Sequence, residues 1–149
     1  MITGFRCAVC GANVPVAAAF PWRCPNVTAA DPYHVLHLVD DGVPPEPLDD
    51  PNPFVRFGPR LAWWAFARSH GISEQRCVEL TREVADGFVV TPFARSAALS
   101  DELGSEVWVK DETGNVAGSH KARHLVGIVP PLRAAEALGL LPFGPRLAI

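Results

Sequence analysis

Two groups of residues in this chain have the types and spacing to do chemistry: one lysine and a set of cysteines. Lys121 stands in Gly118-Ser119-His120-Lys121, shortly after the turn-forming run Thr113-Gly114-Asn115. A lysine that attacks a carbonyl carbon must first lose its proton, so it has to be held in a defined place; the first turn of a helix is one such place. Cys7-Ala8-Val9-Cys10-Gly11 is a Cys-x-x-Cys-Gly knuckle, and Cys24 follows it. Two thiolates at that spacing can grip one metal ion while the glycine allows the tight turn behind them. Structural zinc takes four nitrogen or sulfur ligands, so Cys7, Cys10 and Cys24 need one more, and either His34 or His37 could supply it. The competing reading is a degenerate knuckle of reduced thiols. A redox pair fits less well, because no βαβ pattern follows the motif.

The elements that must position Lys121 are legible locally. Val107-Trp108-Val109 is β-branched and aromatic and reads as a short strand. Glycine and asparagine at 114 and 115 tolerate the turn that follows, and Ser119 is a natural N-cap. The order is strand, tight loop, helix, with Lys121 in the first helical turn. A phosphate loop fails on spacing, since two residues separate Gly118 from Lys121 and Ala122 follows the lysine; no Gly-x-Gly-x-x-Gly occurs either. Without that ordered context, Lys121 would read as a solvated lysine on a surface helix.

At these residues the chain resembles the fold-type II pyridoxal-phosphate enzymes, among them threonine synthase, the serine and threonine dehydratases, cysteine synthase and the tryptophan synthase β subunit. Many of them carry Lys-x-Glu and then Thr-Gly-Ser-Phe-Lys-x-Arg-Gly; here Lys110-Asp111-Glu112 precedes Gly118-Ser119-His120-Lys121-Ala122-Arg123-His124. The flanking Thr91-Pro92-Phe93 and Leu99 to Gly104 extend the likeness. His120 replaces the usual Phe, and Ala117 stands where many members have Thr. The resemblance implies that Lys121 holds pyridoxal phosphate as a Schiff base, with Ser119 and Asn115 beside the cofactor or the substrate carboxylate. It implies an α/β fold, a three-layer α/β sandwich of which this chain is an incomplete N-terminal part. It also implies an amino-acid substrate and a homo-oligomer at full length. Family members run to several hundred residues and grip the cofactor phosphate with a downstream glycine-rich loop that is absent here. The chain is therefore expected to be a truncated piece, inactive alone, with Arg146-Leu147-Ala148-Ile149 opening a buried strand. Some threonine synthase relatives have a similar Cys-rich N-terminal extension, which with Thr91-Pro92-Phe93 tilts the expectation toward threonine synthase or an ammonia-lyase.

Composition bounds the rest. The 149 residues are 48% hydrophobic, enough for a packed core, and carry a net charge of −3 with scattered basic residues. Neither a nucleic-acid footprint nor affinity for an acidic membrane is expected. No apolar run approaches a membrane span and the N-terminus lacks a signal-peptide core, so a cytoplasmic protein with unpaired cysteines is expected.

Three regions follow along the chain: a knuckle over 1–39, an acidic proline-rich linker over 40–59, and from 60 to 149 the start of the catalytic domain. Proline density in the linker is expected to exclude helix and central strand, with Phe54 and Phe57 docking it. The spacing predicts a helix from Pro59 to Ser69, and a second from its Ser73 cap through Ala85 with Cys77, Leu80, Thr81 and Val84 on one face. It further predicts a strand over Phe88–Thr91 ended by Pro92, and a helix over Ala98–Leu103 closed by Gly104. A last helix runs behind Lys121 to Val129, breaks at Pro130-Pro131 and resumes over Leu132–Leu138. His124 is expected on its solvated outer face. Two functions remain: a pyridoxal-phosphate lyase or synthase acting on an amino acid, or a non-catalytic zinc-knuckle or partner-binding fragment.

Overall fold

The computed structural model describes residues 1–141; the expected strand at Arg146-Leu147-Ala148-Ile149 lies outside the described residues. Within them the chain is a small mixed α/β structure with one three-stranded and one two-stranded sheet. The N-terminal sheet has β1 (Ile2–Cys7) between β2 (Asn13–Pro15) and β3 (Leu36–Asp40), both antiparallel to it. Gly4 is required where β1 meets β2, because a Cβ there would lie 2.5 Å from the Val14 carbonyl oxygen. The sheet delivers Cys7 at the end of β1 and carries the chain back past His34 into β3.

The proline-rich stretch contains a turn of helix after all, α1 (Pro53–Arg56). Proline at a first helical position loses no hydrogen bond, and the Asn52 side chain accepts from the Phe54 N–H at 2.9 Å. Val55, 1% exposed, is its buried anchor. Phe54 packs edge-on against Phe88 with ring centroids 5.0 Å apart, whereas Phe57 is 40% exposed.

The expected helix from Pro59 divides. Gly58–Arg60 is a 3-10 turn, Leu61 is extended, and α2 (Ala62–Ser69) begins only after it. The second helix is α3 (Glu74–Val84), capped by Ser73, whose hydroxyl accepts from the Arg76 N–H at 3.1 Å. Trp63, Trp64, Phe66 and Ala67 of α2 pack with Cys77 and Leu80 of α3 to form the main core. Cys77 is fully buried there, which pushes its thiol up to about 11 and keeps it a core residue.

Residues 88–91 are not a strand; β4 (Phe93–Arg95) starts after Pro92 and pairs antiparallel with β5 (Trp108–Lys110). Two of the carbonyls at 88–91 that a strand partner would use are taken by side chains. The Val89 carbonyl accepts from Arg123 and the Thr91 carbonyl from Lys110. Between the two strands, α4 (Ala97–Leu103) ends at Gly104 in the left-handed region, as its sequence predicts, and is capped by Ser96. Two short helices follow, α5 (His120–Val126) and α6 (Val129–Ala137). The double proline does not kink a helix interior: it occupies the first turn of α6, and the break falls earlier, at Gly127 and Ile128.

Candidate metal centre and lysine site

Cys7, Cys10, Cys24 and His34 converge, with one ligand atom from each and all four within 4.8 Å of one another. This group could hold a metal ion. Cys10 Sγ and Cys24 Sγ are 3.5 Å apart, and His34 Nδ1 lies 3.4 Å from Cys7 Sγ and 3.3 Å from Cys24 Sγ. A tetrahedron with metal–sulfur bonds near 2.3 Å and metal–nitrogen bonds near 2.0 Å has edges of roughly 3.5–3.8 Å, so the donor set is within a few tenths of an ångström of that shape. The four cysteines are free thiols, so no disulfide competes for the ligands.

The local fold explains the convergence. Gly11, at φ +73°, makes the turn that brings Cys10 back over Cys7, with the Gly11 N–H donating to the Cys7 carbonyl at 3.0 Å. The Val9 N–H donates to Cys7 Sγ and the Asn26 N–H to Cys24 Sγ, each at 3.4 Å, while Asn26 Nδ2 donates to Cys10 Sγ at 3.4 Å. Such donors favour thiolate over thiol. Backbone N–H groups, that of Cys10 foremost, lower Cys7 to about 6; burial raises Cys24 to about 11. A bound cation would overturn the second shift, because coordination deprotonates a thiol outright.

His34, whose side chain is 3% exposed, is the fourth member, one of the two candidates. His37 is exposed on β3, paired with Arg6 in the ladder, and stands outside the cluster. The His34 Nε2 is 3.0 Å from Asp31 Oδ2, and that hydrogen bond raises the imidazole to about 9. A carboxylate on Nε2 leaves Nδ1 to face the sulfurs, the arrangement that orients a histidine for metal ligation. Asp31 escaped the sequence reading; the only trace of it is an acidic residue one turn before a histidine.

Lys121 is where the strand–loop–helix order puts it. The Ser119 hydroxyl accepts from the Lys121 N–H at 3.2 Å, closing the start of α5, and the lysine side chain is exposed with no hydrogen bond or ion pair among the described residues. Lys110, the only other lysine in the sequence, donates from Nζ to the Thr91 carbonyl and hydroxyl and lies 3.2 Å from Glu112. Asn115 is buried with its amide engaged at both ends: Nδ2 donates to Glu112 at 2.9 Å and Oδ1 accepts from the Val116 N–H at 3.0 Å. Ala117, the residue that replaces a family threonine, sits at φ +57° before Gly118 at +56°. A non-glycine residue in that region costs on the order of 1 kcal/mol, so the loop between Asn115 and Ser119 is held in place by its surroundings.

An apolar cavity of about 520 Å³ lies between Phe5, Phe20 and Trp22 of the knuckle and Trp63, Phe66 and His124. Lys121 does not line it, so this cavity is not the place where the lysine would act. Among the described residues no helix is long and apolar enough to cross a membrane.

No protein-family model, no curated protein and no solved structure matches the chain.

Proposed function

We propose that the chain is the cofactor-lysine portion of a pyridoxal-phosphate-dependent lyase or synthase of fold type II, acting on an amino acid in the manner of threonine synthase or an ammonia-lyase. The observation that carries this reading is the contrast between the two lysines: Lys110 is tied to Thr91 and Glu112, while Lys121 follows a serine-capped helix start with its amine unengaged among the described residues. An aldehyde cofactor needs one amine free of ion pairs at a defined position, and Lys121 fits that requirement. Pyridoxal phosphate, when bound, supplies the electron sink for a negative charge at the amino-acid Cα. Lys121 would bind the cofactor covalently through its ε-amine. Once released by the incoming amino group, it would accept and return the Cα proton. Ser119, half-buried, has its hydroxyl beside that helix start and is the polar group of the loop closest in sequence to the lysine.

Pyridoxal phosphate added to the protein, followed by borohydride reduction and peptide mapping, tests the assignment. The expected label is on Lys121, in preference to Lys110 and the Met1 amine. Equal labelling of the three amines would reject it.

The knuckle supports a second component of the reading: its metal is zinc, held structurally by Cys7, Cys10, Cys24 and His34. Three sulfurs and one imidazole nitrogen close all four positions of a tetrahedron and leave none for a substrate. Elemental analysis of protein purified without added metal should find one zinc per chain, and a small fraction of that would favour the reduced, metal-free knuckle.

A further inference from the structure

Helix α5 carries no fully buried residue, only the half-buried Ala122, Arg123 and Val126, so apolar packing alone gives the helix that bears Lys121 a weak anchor. Arg123 adds a polar anchor. Its Nε donates to Glu112 Oε2 at 2.9 Å, and its Nη2 donates to the Val89 carbonyl at 2.8 Å and to the Thr91 hydroxyl at 3.3 Å. Glu112 is the centre of this cluster. It accepts from the Thr91 hydroxyl at 2.6 Å and from Asn115 at 2.9 Å as well, and Lys110 Nζ stands 3.2 Å from its other oxygen. Its side chain is only 14% exposed, so these bonds are largely shielded from competing water. The carboxylate thus joins three pieces of chain: residue 91 ahead of β4, the end of β5, and α5.

We infer that Glu112 is the positioning residue for Lys121, acting through Arg123. This rests on the reading of Lys121 as the cofactor lysine. Successive helical residues turn by about 100°, so positions 121 and 123 point to nearly opposite sides of α5. Turning Arg123 inward onto Glu112 therefore turns Lys121 outward, and the guanidinium fork, bonded to an acceptor on each of three groups, fixes the rotation of the helix as well as its distance from the sheet. The Lys-x-Glu and Lys-x-Arg pairs of the sequence thereby acquire one shared physical role: the glutamate of the first holds the arginine of the second, and the lysine between them is aimed.

The test uses the chain itself and the isosteric variant Glu112→Gln, which keeps the shape and removes the charge. Two quantities are read: hydrogen exchange of the α5 amides against those of α2 and α3, and the ratio of reduced pyridoxal-phosphate label on Lys121 to that on the Met1 amine. The expected result is α5 exchange on the order of tenfold faster with the α2 and α3 amides unchanged, and a label ratio lower by a similar factor. Glu112→Asp, which keeps the charge but shortens the reach, should fall between the two. Unchanged exchange, or faster exchange with an unchanged ratio, would overturn the inference. Should Glu112→Gln loosen the core, Arg123→Lys, which keeps charge and loses the fork, is read by the same two quantities. Wild-type protein with no preference for Lys121 over Met1 would reject the cofactor reading itself, a result distinct from any of these.

Discussion

The knuckle and the lysine loop both present reactive side chains, but they are built in opposite senses. In the knuckle, four ligand atoms point at one another across 4.8 Å and each has a supporting donor or carboxylate nearby. Around Lys121 the supporting polar groups gather on Glu112, and the amine itself is exposed and takes no part in their hydrogen bonds. A site for an ion has to be closed and finished by its own residues, whereas a site for an organic cofactor has to leave its reactive group accessible. The difference is one of chemistry, and each region can be broken without the other.

The largest effect is expected in the knuckle. Cys24→Ser should abolish stoichiometric zinc and with it the ordered β1–β3 sheet, because most of the folding energy of a small metal-bound unit comes from coordination, on the order of 10 kcal/mol in isolated zinc fingers. NMR dispersion of residues 1–40 should collapse while the α2 and α3 signals persist. Loss of both sets together would show that the comparison is drawn too sharply.

Lys121→Ala should remove the preferred reduced cofactor label, leaving only the background on Lys110 and the Met1 amine, and leave thermal stability within about 0.5 kcal/mol of wild type, since the side chain is exposed and has no partner among the described residues. A parallel melting curve and label analysis checks both halves. A substantial drop in stability would mean that the amine has a partner in solution.

Asp31→Asn should weaken zinc binding by about 10- to 100-fold without changing the one-to-one stoichiometry, the usual consequence of loosening a carboxylate that orients a ligating histidine. A competition titration with a chromophoric chelator measures it. Unchanged affinity would remove Asp31 from the site.

The smallest effect is a pH dependence confined to α5. Glu112 is held well below its ordinary value of 4.5, first by the Thr91 hydroxyl and then by Arg123 and Asn115. A depressed carboxylate contributes stability that is fully present above its unfolded pKa and is lost as pH falls toward the folded one. The protection of the α5 amides relative to those of α2, corrected for intrinsic exchange at each pH, should therefore be constant above about pH 5 and fall progressively below 4.5. A loss of relative protection that already begins near neutrality would point to another group.

The sequence revealed best what is set by neighbours along the chain. Ser73 and Ser119 cap helices through their own next residues, and Gly104 ends one by its own φ, so each is legible where it stands. Cys7 and Cys10 share a turn and announce themselves. His34 and His37 could not be told apart by spacing, because the choice is made by the β1–β3 register, which sets His37 opposite Arg6. Residues 88–91 have the composition of a strand, but the distant Lys110 and Arg123 take the Thr91 and Val89 carbonyls, two acceptors that a strand partner would use. Proline counting misled at Pro53 and Pro130 for a simpler reason: a proline forbids a helix interior and favours a helix start, and composition does not say which position it holds.

The contact between Cys7 and His34 spans 27 positions of chain. An ion gripping both ends is a cross-link, and it acts on the unfolded chain as much as on the folded one. If it restricts that chain as a disulfide of the same span would, the loop-closure estimate is about 3.5 kcal/mol of lost disorder that folding need not overcome. A region with a short sheet and few buried side chains can thus be kept in one shape by topology rather than by the size of its core. It also follows that the knuckle tolerates substitution of its exposed residues more readily than its apolar content suggests, so long as the two ends of that loop remain fastened.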